Sequence, residues 1–539
     1  MCAGAEGATE HGIAYKAKVS FTDIGPADSP GLAVPNDLVT NFFNVDYDNG
    51  ARLHSNSWGA NTNAYTVPTA DVDEFMAKFD DMLILYAAGN SGQDGPGSVG
   101  APATCKNCLT VGASENNEPT AATPRQDGNV AVFSSQGPAG EGAGARTKPD
   151  IVAPGFSVQS SNSNSPGDCP ITSMAGTSMA TPVTTGNTAL VRQYFREGYF
   201  PTGTKGGSGQ KLLSGAAMKA LMINSGNKLT GTYQGTQLSP NLPNNIQGYG
   251  RIQLNKILFP SAAEAGGKNP GDRLFLVDDS QKPLTAGQEH TYNIEVSGTP
   301  DPILGSEVKV TLVWTDPAAE PGANNPLINN LDLSVTAGGQ TLQGNGALDS
   351  VNTVEQVHIP TATAGALTIT VKGTAVPKGP QKYALVVTGP LAVTSPPPAG
   401  PAPPPPKPPS SPYGDNIAFG LTVPLLALAV GAGGFFMFKR PAGGAGAAGG
   451  AGAADGPLPD GWKKMVDPSS GAPYYINEST GATQWSPPAA GAAAAAPPAA
   501  GGGGGGVPEG WEEMTDAASG RNYFYNKNTG ATQWTKPGA

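Results

Sequence analysis

Residues 176–182 read Gly-Thr-Ser-Met-Ala-Thr-Pro and lead into a stretch with a helical apolar pattern that ends near Phe195. The small residues predict a tight turn that places Ser178 in the first turn of this helix, with its hydroxyl exposed. A helix N-terminus offers unpaired backbone N–H groups and a partial positive charge, which would favour an oxyanion beside Ser178. Pro182 falls in the opening turn, where its missing N–H costs little. A serine at a helix start is usually only a cap, so its meaning depends on the sequence around it.

From about residue 11 to 259, apolar runs alternate with helical patterns on both sides of this turn. Residues 82–88, 109–111 and 151–153 are predicted to be short buried strands, and helices are predicted over 70–79, 178–195 and 212–225. This alternation is typical of an α/β fold in which helices cover both faces of a parallel sheet. After about residue 270 the pattern becomes β-rich, as in 308–314, 331–335 and 383–387. A β-sandwich or jelly roll is therefore predicted over 270–390.

Further segments accompany the serine turn in a fixed order. They read Gly-Ile-Ala-Tyr-Lys-Ala-Lys at 12–18, Ser-Trp-Gly at 57–59, Ala-Ala-Gly-Asn at 87–90, Phe-Ser-Ser-Gln-Gly-Pro at 133–138 and Lys-Pro-Asp-Ile-Val-Ala-Pro-Gly at 148–155. Together with 176–182 they resemble the blocks of the subtilisin-like serine proteases, the subtilases. Gly-Tyr-Gly-Arg at 248–251 is similar to the family's closing turn, and 327–333 resembles the C-terminal β-domain of its alkaline-protease branch. The resemblance implies an N-terminally incomplete peptidase domain over 1–260.

The resemblance also implies roles for single residues. Ser178 would be the nucleophile that forms an acyl-enzyme with a peptide carbonyl, and the Asn90 carboxamide would donate to the oxyanion. Ser57, Trp58 and Gly59 would form the strand that pairs with the substrate backbone. The expected substrate is therefore a peptide or protein, and the expected activity is that of a serine endopeptidase.

The family also carries an Asp on its first strand and a His in a His-Gly-Thr-His helix, and neither motif is present in this sequence. The four histidines, His11, His54, His290 and His358, all stand outside that context. Without a positioned base a serine hydroxyl stays protonated and is a weak nucleophile, so the chain as given is expected to be nearly inactive.

Two explanations of this departure stay open. One is a truncated gene model that has lost a signal peptide, the first strand and the histidine helix; the other is a catalytically dead subtilase fold that acts as an adaptor. Truncation is favoured because the missing features form one contiguous loss.

Beyond the β-rich region, 393–414 is a proline-rich stalk, and 417–438 is a run of 22 residues without a charge. Such a run is long enough to cross a hydrocarbon layer of about 30 Å, so it predicts a transmembrane helix. Lys439 and Arg440 follow it directly. The positive-inside rule then places the C-terminus in the cytosol and the protease domain outside the cell or in a lumen.

Two similar units close the chain at 456–488 and 507–537, after Gly/Ala-rich linkers at 441–455 and 489–506. Each carries an early Trp, an aromatic pair and the run Thr-Gly-Ala-Thr-Gln-Trp, and each resembles a WW domain. The resemblance implies small three-stranded sheets that bind proline-rich cytosolic proteins. The ligand grooves would be formed by Tyr474 with Trp485 and by Tyr523 with Trp534, and the structural staples by Trp462, Tyr475 and Pro488 and by Trp511, Phe524 and Pro537.

Composition limits the other function classes. A net charge of −11 argues against a nucleic-acid partner, because phosphate binding needs clustered Lys and Arg. Cys105 and Cys108 have the spacing of a zinc or redox pair, but no second pair matches them, which favours a structural pair, bridged or reduced. No cofactor is expected; calcium sites stay unassigned, with Asp332 as a weak candidate ligand.

Overall fold

A computed structural model describes residues 11–25, 31–117, 126–161, 171–206, 210–262, 267–278 and 282–392, together with strands at 418–422, 462–466, 473–477, 483–484, 511–515, 522–526 and 532–533. The chain divides into two compact units. The first contains residues 1–428 with 433–439 and 515–521, and the second contains 429–432, 440–514 and 522–539, so the two are described separately.

The first part of the chain alternates strands and helices, as the apolar pattern predicts. Its strands are β1 (Lys18–Phe21), β2 (Ala51–Asn56), β3 (Leu83–Ala87), β4 (Leu109–Ser114), β5 (Ile151–Pro154), β6 (Val158–Ser161), β7 (Ile171–Met174), β8 (Thr232–Tyr233) and β9 (Thr236–Gln237). Its helices are α1 (Asn44–Asp48, preceded by a π-helical turn at Val39–Phe43), α2 (Val67–Lys78), α3 (Thr177–Arg196) and α4 (Gly215–Asn224).

Strands β2 to β5 form a parallel sheet in sequence order. Every residue of β3, with the sequence Leu-Ile-Leu-Tyr-Ala, is buried, as is expected for an internal parallel strand that is covered on both faces. The carboxyl ends of parallel strands meet at one edge of the sheet, where ligands of such folds bind. This edge carries Ser57 after β2 and Asn90 after β3. The predicted parallel α/β sheet is confirmed.

A strand from much later in the chain completes this sheet. Strand β18 (Ala418–Thr422) lies between β1 and β2 and pairs with both in parallel. The predicted transmembrane helix over 417–438 therefore needs correction at 418–422, and 423–438 lies outside the described residues. The physical reason is that the facing edges of β1 and β2 carry backbone N–H and C=O groups that need partners, which a local hydropathy pattern does not register. Within the described part of the chain, no helix is long and apolar enough to span a membrane.

Helix α3 lies against strands β2 to β5 and carries the serine turn at its N-terminus. Its buried face is rich in threonine, and Thr181, Thr184, Thr185 and Thr188 each donate their hydroxyl to the carbonyl four residues earlier. These bonds satisfy the hydroxyl groups inside the helix and so allow polar residues at a buried interface.

The β-rich region forms two four-stranded antiparallel sheets around one hydrophobic core that includes Trp314. Its strands are β10 (Leu274–Asp278), β11 (Glu289–Val296), β12 (Val308–Val313), β13 (Asn330–Ala337), β14 (Gln340–Gln343), β15 (Val354–Ile359), β16 (Gly365–Ala375) and β17 (Ala384–Thr388). The sheets have the orders β10-β17-β12-β15 and β11-β16-β13-β14.

Helix α4 joins the two regions. All ten of its residues are buried, because it packs against β3 of the parallel sheet and against β12 and β17 of the β-rich region. Asn224, at its C-terminal end, donates to the Thr311 hydroxyl at 3.1 Å and accepts from the Thr388 hydroxyl at 2.7 Å. The polar end of a buried helix is thereby satisfied by the neighbouring sheet.

The second unit contains two small sheets of three strands each, where the sequence resembles WW domains. The first consists of β19 (Trp462–Val466), β20 (Pro473–Asn477) and β21 (Thr483–Gln484), and the second of β22 (Trp511–Thr515), β23 (Asn522–Asn526) and β24 (Thr532–Gln533).

Candidate active site

Ser178 is the second residue of α3 and is half-buried. Gly176 precedes the helix with φ 155° and ψ 157°, a conformation that side chains with a Cβ rarely adopt. The Gly176 carbonyl accepts from Met179 N at 3.0 Å, which closes the first turn. A sharp turn that only glycine adopts easily therefore places Ser178 at the N-terminal end of α3, as the sequence predicts.

The Asn90 carboxamide is held in one orientation. Its Oδ1 accepts from Thr177 N at 2.9 Å and from the Thr177 hydroxyl at 3.0 Å. A backbone N–H can only donate, so the amide oxygen must face Thr177 and the amide nitrogen must face away from it. Thr177 is itself fixed, because it is fully buried and its hydroxyl accepts from Gly89 N at 3.2 Å.

This orientation brings two donors to one point. A Cβ atom placed on Gly176 would lie 3.4 Å from Met179 Sδ, 3.6 Å from Asn90 Nδ2 and 3.6 Å from Ser178 N. Both N–H groups therefore border the small space beside Gly176, next to the serine. Two donor nitrogens that border one space at a helix N-terminus form an arrangement that can stabilise a developing oxyanion.

The segment that follows β2 contacts the serine turn directly. The Ser57 hydroxyl donates to the Ser178 carbonyl at 2.9 Å. The Trp58 side chain is 7% exposed and packs edge-on against Tyr86 and Phe42, so it belongs to the core and offers no surface to a ligand. Gly59 is half-buried. A substrate bound by this segment would therefore contact its backbone.

None of the described hydrogen bonds joins a histidine to Ser178. His11 is exposed and its nearest ring is Tyr15. His290 bonds the Tyr383 hydroxyl at 2.7 Å and His358 faces Glu307 at 3.8 Å, both in the β-rich region, and burial lowers the pKa of each. His54 is fully buried and bonds Asp46. The structure thus brings Ser178, Asn90 and Ser57 together, without a base among the described contacts.

Sequence reasoning missed two parts of this region. Thr177 was not assigned a role, although a hydroxyl residue directly before the serine was the available signal. The second part is a buried chain from Asp46 through His54 and Asn56 to Trp58, which no sequence pattern marks. Burial by itself raises the pKa of Asp46, but bonds from His54, Ser20 and Thr22 outweigh it and hold that pKa below its ordinary value.

The other predicted sites lie elsewhere. Cys105 and Cys108 form a disulfide, which agrees with the bridged alternative. Among the described residues, no group of three or more His, Cys, Asp or Glu residues is arranged to hold a metal ion, Asp332 included. Tyr474 and Tyr523 lie on the central strands of the two small sheets, whereas Trp485 and Trp534 lie outside the described residues.

Comparisons with known proteins show which families the regions of the chain are similar to. Residues 1–250 match the model of the subtilase family, and 458–488 and 507–537 match that of the WW domain. Two similar proteins are the serine protease/ABC transporter B family proteins tagB and tagD of Dictyostelium discoideum, at 30% identity over 496 residues and 27% over 526 residues. The alignments cover 70% and 72% of this chain. Subtilisin Savinase of Lederbergia lenta is 41% identical over 112 residues, which is 21% of this chain and 32% of that protein.

The chain spans only 26% and 28% of the length of tagB and tagD. The similarity therefore concerns separate regions of this chain and leaves the activity of the whole protein to be proposed.

Proposed function

We propose that this chain, which contains a subtilase-family domain and two WW domains, is a serine endopeptidase that recruits proline-rich proteins. One observation carries the peptidase proposal: Thr177 orients the Asn90 amide so that Asn90 Nδ2 and Ser178 N border the same space. A serine that only capped its helix would not need a second, separately oriented donor beside it.

In the proposed reaction, Ser178 Oγ attacks the carbonyl carbon of a peptide bond. The carbonyl oxygen becomes an oxyanion that accepts from Ser178 N and Asn90 Nδ2. Collapse of this intermediate breaks the C–N bond, releases the amine with a proton, and leaves an acyl group on Ser178 that water then hydrolyses. The Ser178 proton must pass to a base within hydrogen-bond reach, so activity requires the native protein to place one there.

A serine-directed fluorophosphonate tests the proposal, because it reacts only with an activated serine. We expect native full-length protein to be labelled on Ser178, and Ser178→Ala to abolish labelling. Ser173→Ala is the control, since Ser173 is an exposed residue of β7 and its loss should leave labelling unchanged. Folded protein that fails to label would refute the peptidase proposal.

The alternative is a catalytically dead subtilase fold that acts as an adaptor through its WW domains. The observation that favours it is the lack of a histidine bonded to Ser178 among the described contacts. It predicts no labelling, together with binding of proline-rich proteins that does not change in Ser178→Ala.

We also propose that each WW domain binds a proline-rich peptide. The support is the match of both units to the WW family and their three-stranded sheets. Trp485→Ala should abolish binding by the first unit while its sheet stays folded, whereas Trp462→Ala should unfold that unit, because Trp462 is assigned to the staple. Circular dichroism and calorimetric titration with a proline-rich peptide separate the two effects. Equal unfolding in both variants would contradict the assignment of Trp485 to the groove.

A membrane anchor at 417–438 is our third proposal, supported by its 22 uncharged residues and the Lys439-Arg440 pair. In the anchored form, 418–422 would not pair with β1 and β2, so the two arrangements exclude each other. Protease protection of sealed vesicles tests the topology, in which the WW units and the proline-rich stalk lie on opposite sides. Digestion of both from one side would refute the anchor.

A further inference from the structure

A continuous chain of hydrogen bonds runs through the core between α1 and the segment after β2. Asp46 Oδ2 lies 3.0 Å from His54 Nε2, His54 Nδ1 lies 2.9 Å from Asn56 Nδ2, and Trp58 Nε1 donates to Asn56 Oδ1 at 3.1 Å. Asp46, His54 and Asn56 are fully buried and Trp58 is 7% exposed. Four polar side chains linked by hydrogen bonds have thus been removed from water, which is favourable only when each of them has a hydrogen-bond partner.

The flanking groups determine where the protons lie. The indole N–H of Trp58 can only donate, so the Asn56 oxygen must face it. The Asn56 nitrogen also lies 3.2 Å from the Leu85 carbonyl, which can only accept. The amide nitrogen therefore faces His54, and His54 Nδ1 must be the unprotonated acceptor. The imidazole is then neutral with its proton on Nε2, donated to Asp46.

The chain of hydrogen bonds ends beside Ser178, the proposed nucleophile. Asn56 and Trp58 flank Ser57, and the Ser57 hydroxyl donates to the Ser178 carbonyl at 2.9 Å. A rotation of the Asn56 amide would leave the Trp58 indole N–H without its acceptor and would release one of the contacts that hold this segment. His54 Nδ1 supplies an acceptor that faces Asn56 Nδ2, in addition to the Leu85 carbonyl.

We propose that His54 is a positioning residue: as the neutral Nε2–H form it fixes Asn56 and Trp58, and thereby holds the backbone of 57–59 in place beside Ser178 for a bound peptide. The part of this inference that concerns a peptide rests on the proposed peptidase function. The part that concerns the hydrogen-bond chain does not.

The same contacts separate this role from general-base catalysis by His54. Both ring nitrogens are already hydrogen-bonded within the core. The ring also packs beside Phe42 and Phe43, with centroid distances of 5.1 Å and 5.0 Å. An imidazole enclosed in this way has no free nitrogen to accept the Ser178 proton.

Three variants of the full chain test the proposal. His54→Leu removes both hydrogen bonds. His54→Gln presents one donor and one acceptor at the end of its side chain, as the neutral imidazole does, and should restore the chain. Phe43→Leu is the matched control, because Phe43 packs on His54 and Phe75 but takes no part in the hydrogen bonds. Phe43→Leu should lower the stability of the protein and leave the hydrogen bonds of His54 unchanged.

The first measurement is nuclear magnetic resonance of protein labelled with ¹⁵N in histidine and tryptophan. The His54 nitrogens, assigned through His54→Gln, should report Nε2 as protonated and Nδ1 as unprotonated. The Trp58 indole signal, assigned through Trp58→Phe, should shift in His54→Leu and return in His54→Gln, and should stay in place in Phe43→Leu. A protonated Nδ1, or an equal shift in Phe43→Leu, would overturn the proposal.

The second measurement is peptide hydrolysis by the native protein. A misplaced substrate segment weakens binding of substrate and transition state alike, so His54→Leu should raise KM by about tenfold and leave kcat within about twofold. His54→Gln should recover most of the KM. A loss confined to kcat would contradict positioning. If the unmodified protein is not labelled by the fluorophosphonate and does not cleave the peptide, the proposed peptidase function is wrong. The resonance measurement still tests whether His54 holds Asn56 and Trp58 through hydrogen bonds.

Discussion

Asn90 offers a test that separates catalysis from stability within one side chain. Its oxygen holds Thr177 through two bonds of 2.9 Å and 3.0 Å, while its nitrogen borders the space beside Gly176. Asn90→Leu removes both functions. Asn90→Asp keeps an acceptor for the two Thr177 donors but has no N–H to offer, and it places a negative charge where an oxyanion would form.

The magnitudes follow from these contacts. Loss of one oxyanion donor costs about 10²- to 10³-fold in rate, or roughly 2.7–4 kcal/mol. Leaving buried Thr177 donors without an acceptor costs about 1–3 kcal/mol of unfolding free energy. Asn90→Leu should therefore lose both labelling rate and stability. Asn90→Asp should lose at least as much labelling rate but less than about 1 kcal/mol of stability, since Thr177 stays satisfied.

The assay is the second-order rate constant of fluorophosphonate labelling at Ser178, measured beside denaturant unfolding of the same samples. The phosphoryl oxygen of the probe occupies the same space as the carbonyl oxygen of a substrate, so the probe reports the two donors directly. If Asn90→Asp is labelled at the rate of the unmodified protein, the assignment of Asn90 Nδ2 to the oxyanion is wrong. If Asn90→Leu loses rate only in proportion to its unfolded fraction, Asn90 is a structural residue.

Three further predictions concern buried groups. Lys106 and Asp316 form a fully buried ion pair that links the parallel-sheet and β-rich regions, so Lys106→Met should cost about 3–5 kcal/mol in denaturant unfolding by leaving Asp316 unpaired. Asp316→Asn should cost less in the Lys106→Met background than in the unmodified protein, and strictly additive losses would refute the pairing. Burial raises the pKa of Glu355 from 4.5 to about 9, so the folded state holds a proton that the unfolded state releases, and stability should fall as the pH rises through this window. Glu355→Gln should flatten that fall, and an unchanged slope in pH-dependent unfolding would contradict it. Gly176→Ala places a methyl group 3.6 Å from both Asn90 Nδ2 and Ser178 N, so it should slow labelling by more than about tenfold in protein that remains folded by circular dichroism.

Much of the site could be predicted from the sequence because its signals are local. The small residues at 176–182 specify a turn into a helix, and the buried apolar run at 83–87 specifies an internal parallel strand. Backbone conformation and burial pattern depend on near neighbours, so a short segment carries enough information for both. Asn90 and Ser57 follow the buried strands β3 and β2, and both contact the first turn of α3, which carries Ser178.

Pairings between distant segments could not be predicted in the same way. Lys106 and Asp316 are 210 residues apart, and Asn224 reaches two strands of the β-rich region. The sequence alone does not distinguish a buried lysine from one exposed to solvent, because burial depends on which distant segments pack over the side chain. Only the folded arrangement of both regions decides that these polar groups are enclosed and that each finds a partner.

The sequence by itself determined the order of the α/β, β-rich and small C-terminal regions along the chain, the position of the serine turn and the two small C-terminal sheets, since each depends on residues within a few tens of positions. The tertiary structure alone decided that Thr177 orients Asn90, that His54 is buried beside two phenylalanines, and that 418–422 completes the sheet between β1 and β2. The physical reason is the same in each case. Hydrogen-bond partners and strand edges are satisfied by whatever the fold brings near, and that proximity is a property of the whole chain.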